Sequence, residues 1–175
     1  SFMPGCRSSI LLTPWAKHIG ARVIAVTSSE AKAHKARALG ADEVVVGYDD
    51  VAKQVRALTN GKGVDVVYDS VGKISMEASL SSLRPRGWFI SYGNASGAAD
   101  PIPPGRLAAG GSLVMTRPTL FNFTDTPDSL ARASRRLFSL LESGVLTADI
   151  GQRFALKDAA DAHRALESGK TSGAI

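Results

Sequence analysis

The 175-residue chain has no long hydrophobic run. None of its apolar stretches approaches the roughly 20 residues needed to cross a bilayer, and its start lacks the pattern of a signal peptide. Membrane insertion is excluded on this reading, and a cytoplasmic location is expected. Cysteine is nearly absent: Cys6 stands alone, which rules out a disulfide within the chain and a zinc site built on paired cysteines. Histidine is scarce too. His18, His34 and His163 lie far apart in helical segments, so no metal is expected. A concentrated basic stripe is also missing. The net charge is +5, but Lys and Arg are scattered, and Arg84-Pro85-Arg86 and Arg135-Arg136 are too short to track a nucleic acid. A mildly basic surface suits a polyanionic small ligand instead. The chain contains no Ser/His/Asp arrangement and no paired carboxylates, so no catalytic residue is assigned.

What the chain does have is alternation. With 44% hydrophobic and 21% charged residues, it has the composition of one globular domain with a full core. Residues 10–20 read as a helix with Leu11, Leu12, Trp15 and Ile19 on its apolar face. Residues 22–26 are nearly all apolar, as in a strand buried on both faces. Thr27, Ser28 and Ser29 end that strand, and an alanine-rich helix follows over residues 30–39, stopped by Gly40. Residues 43–47 form a second valine-rich strand, and Asp50 caps a helix with Val51, Val55 and Leu58 on one face. Residues 64–68 form another strand, closing on Asp69-Ser70-Val71-Gly72. Met76, Leu80 and Leu83 mark the next helix, residues 84–87 a turn, and residues 88–92 a strand ending in Gly93-Asn94.

Strand and helix alternating at about 20-residue intervals call for parallel pairing with right-handed crossovers. The expected fold is α/β: a Rossmann-type doubly wound, mostly parallel sheet with helices on both faces. Ligands of such sheets bind beyond the carboxyl ends of the strands. The turns at 27–29, 69–72 and 92–94 then share one rim, and a helix N-terminus behind serines is a place for an anion. Further on, residues 95–111 read as a long loop and 112–116 as a sixth strand. Thr126-Pro127-Asp128 opens a helix with Leu130, Leu137, Phe138 and Leu141 inward. Residues 150–156 read as extended, and Asp158 caps a last helix. The pattern breaks off at Ala174-Ile175, as though one more strand were expected.

Several stretches together resemble one family. They are Trp15-Ala16-Lys17-x-x-Gly20-Ala21, Ser28-Ser29-Glu30-Ala31-Lys32, Gly40-Ala41 and Gly63-Val-Asp-Val-Val-Tyr-Asp-Ser-Val-Gly72. Leu83-Arg-Pro-Arg-Gly87, Gly93-Asn-Ala-Ser-Gly97 and Thr116-Arg-Pro-Thr-Leu-Phe121 follow in order. From about Leu11 onward the chain resembles the nucleotide-binding half of a zinc-independent, quinone oxidoreductase-type medium-chain dehydrogenase/reductase. The resemblance implies NADPH as cofactor and an oxidoreductase passing hydride to a quinone or a related activated alkene or carbonyl. It places Tyr48 near the 2′-phosphate, Ser70, Val71 and Gly72 beside the adenosine or ribose, and Tyr92, Gly93 and Asn94 on the nicotinamide side. Leu120 and Phe121 match positions beside the nicotinamide, Arg117 one near the quinone pocket. A homodimer paired through the sheet edge at residues 112–116 is also implied, and such an edge would otherwise invite pairing.

The residues themselves argue for the same cofactor. An NAD-type site carries an acid at the end of the second strand to hold ribose hydroxyls. Here that position holds Thr27, Ser28 and Ser29, with Lys32 one turn into the helix, a set that suits a 2′-phosphate. Glu30 argues the other way unless it points outward as a first-turn acid.

The front departs from the family. Where a glycine-rich turn would cradle the pyrophosphate stand Gly5-Cys6-Arg7-Ser8-Ser9, and residues 1–4 look too short for the strand before it. The expectation is that the first strand is missing or replaced, leaving a gap of roughly 10 Å in the sheet. Residues 1–9 are read as a non-native or irregular start and 10–175 as the NADPH-binding domain without its catalytic partner, so the isolated chain is expected to be inactive. The alternative is a non-catalytic nucleotide-sensing or RNA-interacting module.

Overall fold

The structure, a computed structural model, describes residues 2–4, 9–148 and 150–168. Their strands form one six-stranded sheet in the order β3-β2-β1-β4-β5-β6. The strands are β1 (Phe2–Pro4), β2 (Ile24–Thr27), β3 (Glu43–Val46), β4 (Val64–Asp69), β5 (Leu83–Ser91) and β6 (Val114–Thr116). Every pairing is parallel. The helices between them are α1 (Ser9–His18), α2 (Glu30–Ala38), α3 (Val51–Leu58), α4 (Met76–Ser81) and α5 (Pro104–Ala109), followed by α6 (Pro127–Glu142) and α7 (Ala159–Glu167). The doubly wound α/β fold expected from the alternation is present.

The core shows why the alternation works. Ile24, Val26, Val45, Val51, Val55, Val67, Leu80 and Phe89 pack in one cluster that joins β2–β5 to α3 and α4. On the other face Ala16 and Val23, with Leu12, Ala21, Ala41 and Tyr68 against them, seat α1. All four residues of β2 are buried, as a central parallel strand covered on both faces must be.

The sheet corrects the expectation of a missing first strand. Residues 2–4 lie between β2 and β4, with Phe2, Met3 and Pro4 in register with Ile24, Ala25 and Val26, and Phe2 also opposite Val67. Three residues give no readable period. Without them, however, the facing edges of β2 and β4 would leave their buried N–H and C=O groups unpaired, so a short segment is recruited there. Of the degraded glycine turn expected at 5–9, residues 5–8 lie outside the described residues and Ser9 opens α1; the break at Ala174-Ile175 also lies outside them.

Other expectations change locally. Residues 84–87, expected as a turn, lie inside β5. The ladder jumps from Val64–Leu83 to Val66–Trp88, so the extra residues bulge out, with Arg86 in the left-handed region at φ 61°. Asp50 precedes α3 at φ 53° and makes no side-chain cap bond, because a left-handed residue does not present its side chain to the helix amides. The loop expected over 95–111 contains α5, with Pro104 in its first turn. In α6, Leu140 is buried, but Leu130 and Phe138 are exposed, since the elements packed on that helix cover only part of its apolar face. Within residues 150–156 the extended expectation is met only by a single bridge at Ile150.

Candidate functional site

The parallel sheet brings the carboxyl ends of all its strands to one rim. Across it, Tyr48 follows β3, Ser28 follows β2, Ser70 follows β4, Tyr92 follows β5 and Arg117 follows β6. β6 is level with β5, Thr116 opposite Ile90. β2 and β6 are four strands apart in the sheet order, about 19 Å at the usual strand spacing. A ligand touching both would have to be extended along the rim.

At one end of the rim a cleft of about 310 Å³ is lined by Thr27, Ser28, Lys32, Tyr48, Val71, Ile74, Ala95 and Ser96. Its polar wall is built at the β2–α2 turn. The Thr27 hydroxyl, buried, donates to the Ser29 carbonyl at 3.2 Å. Ser29 is the N-cap of α2 in extended conformation, its hydroxyl 3.5 Å from the Lys32 amide. Its side chain therefore serves the helix, and Ser29 is not among the cleft-lining residues. Lys32 turns back one helical turn, and its Nζ donates to the Ser28 hydroxyl at 2.9 Å. Both side chains are exposed. The acid that argued against a phosphate site, Glu30, pairs instead with Arg37 at 3.7 Å, along α2. The wall thus presents a cation, two hydroxyls and the amino end of a helix, which together attract an anion. Tyr48 closes this side, its ring packed against the main core cluster.

The opposite wall is apolar and comes from two turns zipped together. The turn after β4 carries Val71, and the segment leading from it into α4 carries Ile74. The turn after β5 carries Ala95 and Ser96. The Ala95 amide donates to the Ser70 carbonyl at 3.1 Å and the Ser96 amide to the Val71 carbonyl at 2.8 Å. Gly93 sits so close to Ser70 that an added Cβ would lie 2.4 Å from the Ser70 carbonyl oxygen, and one on Gly72 would lie 2.7 Å from that of Gly97. Both glycines are required by the approach of one turn to the other.

Of the residues singled out from sequence, the structure therefore gathers Ser28, Lys32, Tyr48 and Val71 around one cleft. It places Ser70, Gly72 and Gly93 in the backbone framework of the apolar wall, and Tyr92 and Asn94 beside it. Arg117, Leu120 and Phe121 stand apart from the cleft-lining residues. Arg117 is exposed after β6, and Leu120 and Phe121, 71% and 83% exposed, lie on a 3₁₀ turn over Leu120–Asn122. Sequence reasoning missed Ile74, Ala95 and Ser96. The available signal was Gly93-Asn-Ala-Ser-Gly97, which continues the rim turn past residue 94. Among the described residues there is no group of three or more His, Cys, Asp or Glu placed to hold a metal ion, and no helix is long and apolar enough to cross a membrane.

The chain is similar to known proteins over most of its length. The family model for zinc-binding dehydrogenases matches residues 10–135. A quinone oxidoreductase of Pseudomonas aeruginosa is 46% identical over 160 residues, 91% of this chain and 49% of the relative. A 2-haloacrylate reductase of a Burkholderia species is 43% identical over 167 residues, 94% of this chain and 50% of the relative. Among solved structures, Escherichia coli quinone oxidoreductase complexed with NADPH superposes with a TM-score of 0.89 at 38% identity, covering 99% of this chain and 56% of that one. The chain spans about half the length of the curated relatives it matches. With its parallel sheet and rim cleft, the chain belongs to the zinc-binding dehydrogenase family, as the Rossmann-type half of a quinone oxidoreductase-like member.

Proposed function

We propose that this chain is the NADPH-binding part of a reductase that passes hydride to a quinone or a related activated alkene or carbonyl. The observation that carries the reading is the Ser28–Lys32 pair, a cation held over a hydroxyl at a helix start where an NAD-type site would carry an acid. Its relatives include quinone oxidoreductases, one solved with NADPH, and a 2-haloacrylate reductase.

The donor set fits the cofactor. Ser28 and Lys32, with Tyr48, hold the 2′-phosphate. Ser70, Val71 and Gly72 border the adenosine or ribose, with Ile74, Ala95 and Ser96 completing the apolar wall. Tyr92, Gly93 and Asn94 carry the ligand along the rim to the nicotinamide side, with Leu120 and Phe121 beside the ring and Arg117 toward the acceptor. When bound, the cofactor supplies the hydride. The chain's own part is to bind, to orient and to exclude water from one side, which suits a reaction that depends mainly on positioning. Two copies pair through the edge strand β6. Hydride transfer itself needs the remainder of the enzyme, so the 175-residue chain binds without turnover and works in the cytoplasm.

Fluorescence titration of the chain with NADPH and NADH tests the reading. NADPH is expected to bind more tightly, and Lys32→Ala to weaken NADPH alone. A charge-assisted bond to phosphate is worth about 1.5–3 kcal/mol, roughly ten- to a hundredfold in affinity. Equal affinities in the parent, or an unchanged preference in Lys32→Ala, would refute the assignment of the phosphate site.

A further inference from the structure

The apolar wall of the cleft is tied to a single buried acid. Asp69, at the end of β4, has no exposed surface. A carboxylate so far from water needs a full set of donors, and it has one. Its Oδ1 accepts from the amides of Val71 at 2.8 Å and Gly72 at 3.0 Å. The Ser75 hydroxyl lies 2.9 Å from Oδ1 and 2.7 Å from Oδ2, and the Ser79 hydroxyl donates to Oδ2 at 2.6 Å. Ser75 and Ser79 are themselves buried. The bonds continue outward from there. The Val71 carbonyl accepts from the Ser96 hydroxyl at 2.7 Å as well as from its amide, and that hydroxyl accepts from the Ile74 amide at 3.1 Å. The chain of contacts that begins at Ser79 thus ends on Val71, Ile74 and Ser96, three of the cleft-lining residues.

We infer that Asp69, seated on Ser75 and Ser79, is a positioning residue for the nucleotide site and acts on it through Ser96; the role rests on the nucleotide reading above. Capping a turn needs only the carboxylate and the two amides. The two serines add buried polar groups that an apolar repacking would replace at little cost. What they add is a fixed height and tilt for the turn, because they anchor both carboxylate oxygens to α4. Ser96 then transmits that position to the second turn, so the wall keeps its shape whether or not a ligand props it. None of these bonds reaches Ser28, Lys32 or Tyr48. The cluster therefore governs affinity for the adenosine end as a whole and leaves the preference for a 2′-phosphate unchanged.

The test uses the full chain and two probes, adenosine 2′,5′-bisphosphate and 5′-AMP, by isothermal titration calorimetry. Ser96→Ala and Asp69→Asn are expected to weaken both probes about tenfold, with their affinity ratio that of the parent, and Ser96→Thr to restore binding by returning the hydroxyl. Leu83→Val, at the amino end of β5 and so on the opposite rim, is the control for lost stability and should bind both probes as the parent does. Variants that melt lower yet bind like the parent would show a purely structural cluster and overturn the inference. So would a changed ratio, or failure of Ser96→Thr to rescue. Should Asp69→Asn not fold, the Ser96 pair decides. A parent that bound neither probe would overturn the nucleotide reading and this inference with it, whereas a binding parent with unaffected variants overturns this inference alone.

Discussion

Replacing Gly93 by alanine isolates the contact on which the apolar wall depends. Gly93 has no positive φ, so alanine meets no backbone penalty there and the whole effect is steric. The new methyl would stand 2.4 Å from the Ser70 carbonyl oxygen, 2.8 Å from its Cα and 2.9 Å from its carbonyl carbon. All three are backbone atoms and cannot swing aside. Carbon–oxygen approaches in proteins close to about 3.3 Å, so the two turns must part by roughly 0.9 Å. That motion is resisted by the Tyr92 amide bound to the Asp69 carbonyl at 2.8 Å and the Ala95 amide bound to that of Ser70 at 3.1 Å. Overpacking of this kind costs about 1–3 kcal/mol, and a lost backbone bond adds about 1. Gly93→Ala is therefore expected to lose about 2–4 kcal/mol, a fall of roughly 5–15 °C in Tm for a chain of this size. Gly61→Ala is the comparison. Gly61 has φ +80° and open space around its would-be Cβ, so only the left-handed backbone is penalised, by about 1–2 kcal/mol. Urea unfolding of both variants gives the answer. If Gly93→Ala is no less stable than Gly61→Ala, the two turns are not held in contact as described.

Other expectations follow from the same contacts. The Lys17 ammonium at 2.6 Å and the Val23 amide at 2.7 Å hold the Asp42 carboxyl below its ordinary pKa. A carboxyl lowered in the folded state contributes stability above its unfolded pKa and loses it as pH falls through the folded value. Asp42→Asn should therefore be less stable at pH 7 and should lose less than the parent between pH 6 and pH 2, as followed by urea midpoints; equal acid losses would refute the linkage. For the pairing of two copies, sedimentation at micromolar concentration should show a dimer, and Met115→Lys, at a residue 38% exposed on the edge strand β6, should give monomers. A monomeric parent would rule the pairing out.

The fold was legible wherever an element carries its own signal. β2, β3 and β4 are short runs of valine, isoleucine and alanine closed by hydroxyls, glycine or aspartate, and each precedes a helix, so their parallel order could be read directly. β1 could not be read because three residues have no period; what makes them a strand is the pair of unfilled edges on either side. Residues 84–87 carry strong turn chemistry and still lie in a strand, because a bulge with Arg86 left-handed absorbs them. α5 hid among Pro101, Pro103, Pro104 and Gly105, where proline in a first turn looks the same as proline in a loop. The outward positions of Leu130 and Phe138 were illegible for another reason: helical period locates an apolar face but says nothing of whether a partner covers it. In the cleft, Ser28 and Val71 could be found because each lies in a turn that ends a strand, Lys32 because it stands one turn into the helix that follows, and Tyr48 through the family resemblance. Ala95 and Ser96 were signalled only by the run of the turn on to Gly97, and Ile74 not at all, since it is held to the wall by a bond to Ser96, 22 residues away, which no local pattern records.

The two walls of the cleft differ in what a substitution would disturb. Ser28 and Lys32 are exposed and bonded chiefly to each other, and such a surface pair contributes little to folding. On the proposed function, its value appears only when an anion arrives and takes both donors. The apolar wall is the reverse. Asp69, Ser75 and Ser79 are buried and mutually saturated, and Gly93 and Gly72 are fixed by backbone contact, so a change there alters stability and ligand fit together. On the function proposed above, discrimination between a phosphorylated and an unphosphorylated ribose rests on residues that can vary without unfolding the domain. On the same proposal, recognition of the adenosine end rests on residues that cannot. One or two exposed substitutions on α2 and the turn before it are then expected to alter which dinucleotide is preferred, while the framework of the apolar wall stays as it is.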